Sequence, residues 1–288
     1  MSAYNKKKEH KTMKKIVSIV LAIMMIAGLT VFTTACDSGS SGRETLTCGV
    51  TLFEPMNFRD SAGEWTGFDT EFALAVGEIL DMDVEFQLIE WANKFIELDA
   101  GAIDAIWNGM TATANEPDGT PRTHLCDMSY SYMLNTQAVV VKQERAGEFT
   151  NDEDLLGKII AVEAGSAGES KARRLAGMND EDNPVGDIIG VPKQINTFLE
   201  VKTGASDAAI VDIILALEIT GQGDYSDLII SDINLGDEWY AIGFRKGDPL
   251  RDRVNEAIVQ LYESGKLMEI ATKWGLEERL VIDRTWGQ

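Results

Sequence analysis

Two distant segments of this chain repeat one local pattern, and the repeat restricts the fold more than any other feature. The first segment runs from Gly101 to Thr111, and the second runs from Gly204 to Asp212. Before each segment a helical stretch ends, and the glycine that stops it is the first residue of the segment. A short apolar run follows the glycine, and polar residues end the run. This pattern is typical of a helix with a glycine C-cap that leads into a buried parallel strand. The alternative is a chance similarity between two βα units, which are common.

The ends of the two predicted strands indicate where a ligand would bind. In open α/β sheets, ligands collect at the carboxyl ends of the strands. We therefore expect residues 108–111, with Asn108 first, to face Asp212 across a cleft between two similar lobes. Predicted strands and helices alternate along the rest of the chain, which indicates the α/β class.

Residues 1–35 are predicted to be a signal peptide. Six lysines precede an apolar run at 16–31 that is too short and too one-sided for a typical membrane span. Small residues then lead to Cys36, in the manner of a bacterial lipoprotein, although Thr33 stands where leucine is usual. Residues 36–43 read as a flexible polar tether. The alternative is an ordinary signal peptide that is cleaved near Ala35.

The charge balance argues against nucleic acid as a partner. The 288 residues carry a net charge of −21, with 26 basic and 47 acidic residues. Residues 1–35 hold six Lys and one Glu, so 20 basic and 46 acidic residues remain, a net charge of −26. Such an acidic surface repels phosphate backbones and mostly provides solubility.

The cysteines and histidines predict neither a disulfide framework nor a metal site. Apart from Cys36 there are Cys48 and Cys126, whose pairing the sequence leaves open. Cys48 lies inside a predicted apolar strand, which favours a buried free thiol. His10 lies in the signal peptide and His124 stands alone.

Local patterns also predict individual elements. An apolar stripe at helical spacing predicts a helix over 68–80, with Asp69 placed to cap it. Two prolines and a glycine predict a loop over 114–122. The Gly165–Gly168 turn precedes a predicted helix over 169–176, and its backbone N–H groups could bind an anion. Residues 179–184 read as a loop.

Several short motifs occur in an order and spacing that resemble one protein family. They are Gly67-Phe68-Asp69, Gly109-Met110-Thr111-Ala112-Thr113, Arg122 five residues before Asp127-Met128-Ser129, Val211-Asp212, Arg245-Lys246-Gly247-Asp248-Pro249 and Lys273-Trp274-Gly275. Over residues 46–276 the chain resembles the extracellular solute-binding proteins of ABC importers, specifically the polar amino-acid-binding family. The resemblance implies a periplasmic-binding-protein-like type II fold with two hinge crossings. Lobe 1 would comprise 44–134 and 240–288, and lobe 2 would comprise 135–239.

The resemblance also implies roles for the residues that bind the ends of an amino acid. Arg122 would bind the α-carboxylate with help from Gly109 and Thr111, although an insertion separates it from Thr113. Ser166 and Ala167 would donate to the same carboxylate from lobe 2. Asp212 would bind the ammonium group.

Other residues would contact the side chain of the ligand. The resemblance places Phe53 and Trp91 as aromatic rings on either side of it. Glu163 and Glu54 would favour a cationic side chain if they face the ligand, and the alternative is that either points to solvent.

Each role has a simpler alternative: Trp91 in lobe packing, Phe53 in the core, Asp212 as a helix cap and Arg122 as a solvated loop residue.

The function we predict is that of a lipid-anchored, monomeric receptor at the outer face of the bacterial cell membrane. It would use no cofactor, hold an amino acid and deliver it to an ABC-type permease. The alternative is a dehydratase-like enzyme that acts on a small organic acid, with Glu163 or Glu54 as the general acid or base. The sensor domain of a kinase is disfavoured because no further membrane segment precedes Gln288. The sequence leaves the identity of the amino acid open.

Overall fold

The computed structural model describes residues 42–175 and 187–285. The fold lies in the compact unit that begins at Glu44. The predicted signal peptide, Cys36 and the predicted loop at 179–184 lie outside the described residues. Within the described ranges, no helix is both long enough and apolar enough to cross a membrane.

From residue 42 to the end of the first long strand, the chain forms seven strands and three helices. They are β1 (Glu44–Val50), β2 (Phe58–Arg59), β3 (Trp65–Thr66), α1 (Phe68–Leu80), β4 (Met82–Leu88), α2 (Lys94–Asp99), β5 (Ala105–Thr111), α3 (Arg122–Leu125), β6 (Asp127–Met128) and β7 (Ser131–Lys142). A single 3₁₀ turn at Trp91–Asn93 precedes α2.

The remaining described chain continues the alternation of strands and helices. Its elements are β8 (Ile160–Glu163), α4 (Ala167–Leu175), β9 (Ile188–Val191), α5 (Asn196–Thr203), β10 (Ala208–Asp212), α6 (Ile213–Ile219), β11 (Leu228–Ile230), β12 (Asp237–Phe244), α7 (Leu250–Glu263), α8 (Lys266–Lys273) and β13 (Leu280–Asp283). The α/β class predicted from the sequence is confirmed.

Two groups of parallel strands are joined by two long antiparallel strands. The order across the sheet is β4-β1-β5-β12-β7-β10-β8-β9. β1 runs parallel to β4 and β5, and β8 runs parallel to β9 and β10. Between the groups, β12 pairs with β7 from Asp237↔Thr136 to Tyr240↔Met133. These two strands are the segments of the chain that cross from one parallel group to the other.

The repeated pattern occupies equivalent places in the two groups. Gly101 and Gly204 follow α2 and α5 with φ angles of 72° and 79°, in the left-handed region that favours glycine. The strands that follow, β5 and β10, are buried along their whole lengths. The repeat is therefore a structural one.

Helix α1 has the bounds that the apolar stripe predicts, and its inner face packs against the first group of strands. Phe68, Phe72 and Val76 are fully buried, and the Phe72 ring meets Trp107 edge-on at 5.2 Å. The predicted cap is wrong, because the Asp69 side chain turns into the core. Its Oδ2 accepts hydrogen bonds from the Gly109 N–H (2.7 Å) and the Tyr132 hydroxyl (3.1 Å).

Cys48 and Cys126 are buried and are not bonded to each other. The expectation of a buried free thiol at Cys48 is confirmed. Burial raises the pKa of the Cys126 thiol to about 12, so the thiol carries no charge at neutral pH.

Candidate ligand-binding cleft

One cleft opens at the carboxyl ends of β5 and β10. It is lined by Thr51, Phe53, Trp91, Asn108, Gly109, Thr111, Arg122, Glu163, Ser166, Ala167, Gln194 and Asp212. All ten residues predicted to bind a ligand are among them. Thr51 and Gln194 were missed, since neither lies in the repeat, in a motif or at a position to which the resemblance assigns a role. Glu54 is exposed and lies outside this lining.

Asn108 and Gly109 shape the side of the cleft that β5 forms. The Asn108 amide donates to the Thr51 hydroxyl (2.7 Å), and its Oδ1 accepts from the Thr51 N–H (2.9 Å). Gly109 has a φ of 57°, and an added Cβ would lie 2.9 Å from the rings of both Phe53 and Tyr240. Only glycine fits at this position, because any side chain would displace two rings.

Arg122 lies in the cleft wall despite the insertion before it. The Arg122 N–H donates to the Ala114 carbonyl (3.3 Å), so the insertion forms a loop whose two ends are adjacent. The side chain is 1% exposed. Its guanidinium donates to Glu116 Oε1 (2.8 Å), the Thr111 carbonyl (3.0 Å) and the Gly165 carbonyl (3.1 Å). The alternative of a solvated loop residue is therefore wrong.

These three bonds use three of the five N–H groups of a guanidinium. Two are left over, and a carboxylate needs two for a bidentate pair.

Lys94 lies beside Arg122, although nothing in the sequence indicates it. Its side chain is fully buried, and its Nζ donates to Glu116 Oε2 and to the Gly165 carbonyl, both at 2.9 Å. The Nζ also lies 5.1 Å from the centre of the Trp91 ring. A lysine at the start of a short helix is ordinarily exposed, so its burial follows only from the tertiary structure.

Asp212 is the most heavily hydrogen-bonded group of the cleft. Its carboxylate accepts hydrogen bonds from Asn135 (2.7 Å), Gln137 (2.9 Å) and Tyr240 (2.8 Å) at Oδ1, and from Gln194 (2.6 Å) at Oδ2. Although Asp212 is the N-cap residue of α6, its side chain makes no capping bond there. The capping alternative is wrong. Burial first, and then the neighbouring Glu238, raise the pKa of Asp212.

Glu238, on β12, shares donors with Asp212. Its Oε2 accepts from Asn135 (3.3 Å), Gln137 (3.0 Å) and the Thr111 hydroxyl (3.1 Å). Its Oε1 forms an ion pair with Lys171 at 3.1 Å. The side-chain amides of Asn135 and Gln137 thus bridge two buried carboxylates at the place where β7 pairs with β12.

Glu163 ends β8 and is 6% exposed. Burial first, and then Asp212, raise its pKa to about 8. Among residues 42–175 and 187–285, no Lys or Arg forms an ion pair with this carboxyl group. A cation that entered the cleft would favour the ionised form of Glu163.

Ser166 and Ala167 open α4. The Ser166 Oγ accepts from the Glu169 N–H (3.0 Å) and so caps the helix. The Ser166 N–H bonds to the Glu163 carbonyl (3.1 Å). The Ser166 hydroxyl hydrogen and the Ala167 N–H are therefore among the groups of this turn that can donate to an anion.

The two predicted aromatic residues also belong to the core. Phe53 is 4% exposed and Trp91 is 5% exposed. The Trp91 ring packs in a cluster with Leu98 and Ile106. The alternatives of core packing for Phe53 and of packing for Trp91 are therefore correct. Both rings also line the cleft.

Comparison with known proteins places the chain among binding proteins. A model of the bacterial extracellular solute-binding proteins, family 3, matches residues 46–277. The arginine-binding extracellular protein ArtP of Bacillus subtilis (strain 168) is 27% identical over 269 residues, which cover 90% of this chain and 98% of ArtP.

Two solved structures are similar in fold and sequence. An ancestral arginine-binding protein bound to arginine has a TM-score of 0.71 and 30% identity, covering 81% of this chain and 98% of that one. A substrate-binding protein of an ABC uptake transporter from Streptococcus pneumoniae, with bound histidine, has a TM-score of 0.69 and 32% identity. That match covers 80% of this chain and 92% of that one.

Fold and cleft together define a solute-binding protein with the periplasmic-binding-protein-like type II architecture. The chain belongs to the bacterial extracellular solute-binding proteins, family 3. The resemblance that the motifs carry is thereby confirmed.

Proposed function

We propose that this protein captures an α-amino acid in the cleft and delivers it to an ABC-type permease. The observation that carries the proposal is the presence of a buried guanidinium (Arg122) and a buried carboxylate (Asp212) in one cleft. These groups complement the two charged ends of an amino acid, and both ends need partners once water is excluded. The similar proteins described above, which are named for the arginine or histidine that they bind, support it.

A cationic side chain fits the rest of the cleft best. Glu163 supplies a buried carboxyl group that forms no ion pair with a Lys or Arg among the described residues, and the rings of Phe53 and Trp91 are favourable surfaces for a cation. L-Arginine is therefore the first ligand to test, followed by L-histidine and L-lysine. Glu54 is not assigned a part, since it is exposed outside the cleft.

A thermal-shift screen against the common amino acids tests this function. A ligand at 100 times its dissociation constant should stabilise the folded protein by about 2.7 kcal/mol. We expect the largest shift with a cationic amino acid. If no amino acid raises the melting temperature, amino-acid capture is the wrong function.

We further propose hinge closure between a lobe of residues 44–134 and 240–288 and a lobe of residues 135–239. The paired crossings from Met133 to Thr136 and from Asp237 to Tyr240 support these boundaries. Small-angle scattering should give a smaller radius of gyration with ligand than without it. Identical curves at saturation would contradict closure.

We propose that Cys36 carries a lipid that anchors the protein at the outer face of the cell membrane. The support is the order of basic, apolar and small residues before Cys36. In cell fractionation, Cys36→Ala should move the protein from the membrane to the soluble fraction. A variant that stays in the membrane would show another anchor.

We also propose that the protein is a receptor without catalytic activity. The similar proteins named above are binding proteins, and of the two acids considered for dehydratase chemistry only Glu163 lies in the cleft. A bound ligand incubated with the protein should keep its NMR spectrum. Loss of water from the ligand would establish the enzyme alternative.

A further inference from the structure

We propose that Lys94 and Glu116 form, together with Arg122, a latch that holds the two sides of the cleft together at the Gly165 carbonyl. None of the family motifs above contains Lys94 or Glu116. The inference rests on the proposed function, since a latch acts only in a cleft that opens and closes.

The latch joins the β5 side of the cleft to the β8 side through a single oxygen atom. Lys94 Nζ (2.9 Å) and Arg122 Nη2 (3.1 Å) both donate to the Gly165 carbonyl. A Cβ added at Gly165 would lie 2.9 Å from Ala92 Cα, which shows that the backbones of the two sides are close at this point. Gly165 also has a φ of 74°, so a side chain is doubly disfavoured. Two cations on one side thus hold one carbonyl on the other.

Glu116 is the group that allows two cations to lie there. Its Oε1 accepts from Arg122 Nε (2.8 Å) and its Oε2 accepts from Lys94 Nζ (2.9 Å). Both cations are almost completely buried, and two buried like charges would repel each other strongly without a carboxylate between them. Glu116 belongs to the inserted loop, whose own backbone is folded back by the hydrogen bond from the Glu116 N–H to the Thr120 carbonyl (2.8 Å). The insertion therefore supplies the acid that completes the cluster.

The electrostatic setting of Lys94 agrees with this arrangement. Burial first, and then the Arg122 guanidinium, lower the pKa of Lys94 to about 8, while Glu116 and Glu163 act in the opposite direction. Lys94 therefore keeps its charge at neutral pH because acids surround it, and the removal of Glu116 would weaken its hold on that proton.

Lys94 and Glu116 act as positioning residues. All the bonds of the latch are between groups of the chain itself, so the latch stabilises the closed form whichever amino acid is bound. A ligand that binds the closed form loses apparent affinity in proportion to the fraction of protein that is closed. Loss of the latch should then weaken binding of every ligand alike and leave the order of preference among amino acids unchanged.

The test uses Lys94→Met and Glu116→Gln, with Lys266→Met and Asp118→Asn as matched controls. Lys266 is a surface lysine, and Asp118 is an exposed acid of the same inserted loop. Scattering of the ligand-free proteins should give a larger radius of gyration for both latch variants than for wild type and controls. Titration calorimetry with L-arginine should show a dissociation constant raised by roughly tenfold or more, and the double variant should be little worse than either single one.

A purely structural role predicts something different. Lys94→Met or Glu116→Gln would then lower the melting temperature but leave both the radius of gyration and the affinity at the wild-type values, and that result overturns the latch. Lys94→Arg, which keeps the charge, should retain most of the wild-type affinity and serves if Lys94→Met does not fold. If wild type binds no amino acid, the proposed function fails, whereas the scattering comparison still decides the latch.

Discussion

The two sides of the cleft use one backbone design and opposite charges. On each side a helix ends at a left-handed glycine, and a buried strand carries the chain to the cleft. The β5 strand ends beside the cations Lys94 and Arg122, whereas β10 ends at Asp212, close to Glu163 and Glu238. A ligand with one positive and one negative end would therefore fit in a single orientation. The comparison shows that the repeated backbone provides two facing edges, and that side chains alone give each edge its charge.

The largest expected effect comes from neutralising the acidic side with Asp212→Asn. Loss of one member of a buried charge pair commonly costs about 2–5 kcal/mol. The dissociation constant for the amino acid should rise roughly 30-fold or more, as titration calorimetry would measure. Asparagine is preferable to alanine, because Asp212 accepts four hydrogen bonds and alanine would leave four buried donors without partners.

Asp232→Asn is the control for this prediction, since Asp232 is an exposed aspartate of the same half of the chain. It should bind like wild type. Unchanged affinity in Asp212→Asn, or equal binding of an N-acetylated ligand, would show that Asp212 does not bind the ammonium group.

On the cationic side, Arg122→Lys should have the next largest effect. Lysine keeps the charge but lacks the planar fork that binds a carboxylate with two parallel hydrogen bonds. A hydrogen bond to a charged group contributes about 1.5–3 kcal/mol, so calorimetry should show a loss of affinity of roughly 10- to 100-fold. Arg253→Lys, in an exposed ion pair with Glu44, should change nothing. Equal affinities for Arg122→Lys and wild type would remove the carboxylate-binding role.

The pH dependence of binding sharpens the comparison further. The pKa of Glu163 is about 8, so at pH 6 the carboxyl group holds a proton that a guanidinium ligand must displace. Affinity for L-arginine should therefore rise between pH 6 and pH 8, by up to about tenfold per unit, and level off above pH 8. Glu163→Gln should abolish most of this rise. A wild-type affinity that is flat over this range would contradict an ion pair with Glu163.

The raised pKa of Glu163 also determines how the stability of the folded protein changes with pH. The pKa of Glu163 is raised from 4.5, so its contribution to folding is complete below pH 4.5 and is lost as pH rises through about 8. Asp69, with a pKa of about 7, and Lys94, with a pKa of about 8, titrate in the same pH range. Both groups are present in wild type and in Glu163→Gln, so a comparison of the two proteins isolates Glu163. The stability of ligand-free Glu163→Gln should thus fall less than that of wild type between pH 6 and pH 9 in urea titrations.

The smallest effect is expected for Glu54→Gln. Glu54 is an exposed acid next to Phe53 in the chain but outside the cleft. Exposed substitutions away from special features change little, so calorimetry should give an affinity within roughly twofold of wild type. A loss as large as that of Arg122→Lys would show that the acidic side of the cleft extends to Glu54.

Sequence patterns predicted the elements and the cleft where local signals coincide with the tertiary structure. The apolar stripe of α1 and the two glycine-terminated repeats lie where they were expected, and the repeat, the motifs and the family resemblance together led to the ten cleft residues. Asp69 was misassigned because a cap and a buried acceptor look alike in sequence, and the choice depends on distant Tyr132. Strand β11 is only three residues long and forms by pairing with β7, so no local pattern identifies it.

Lys94 and Glu116 could not have been predicted for a related reason. Lys94 and Glu116 are 22 positions apart, and Lys94 is joined to Gly165 over 71 positions. Burial of a lysine depends on what surrounds it in space, and the local sequence gives no indication of that.

The amide bridge between Asp212 and Glu238 has a mechanical consequence. Asn135 on one crossing strand and Tyr240 on the other both bond to Asp212, so this carboxylate lies beside the axis about which a hinged molecule turns. Atoms at an axis travel little while the outer surfaces sweep through long arcs. If Asp212 binds the ammonium group as proposed, a small adjustment there would accompany a large displacement of the cleft rims, and the rims are the part of the molecule at which closure would be easiest to detect.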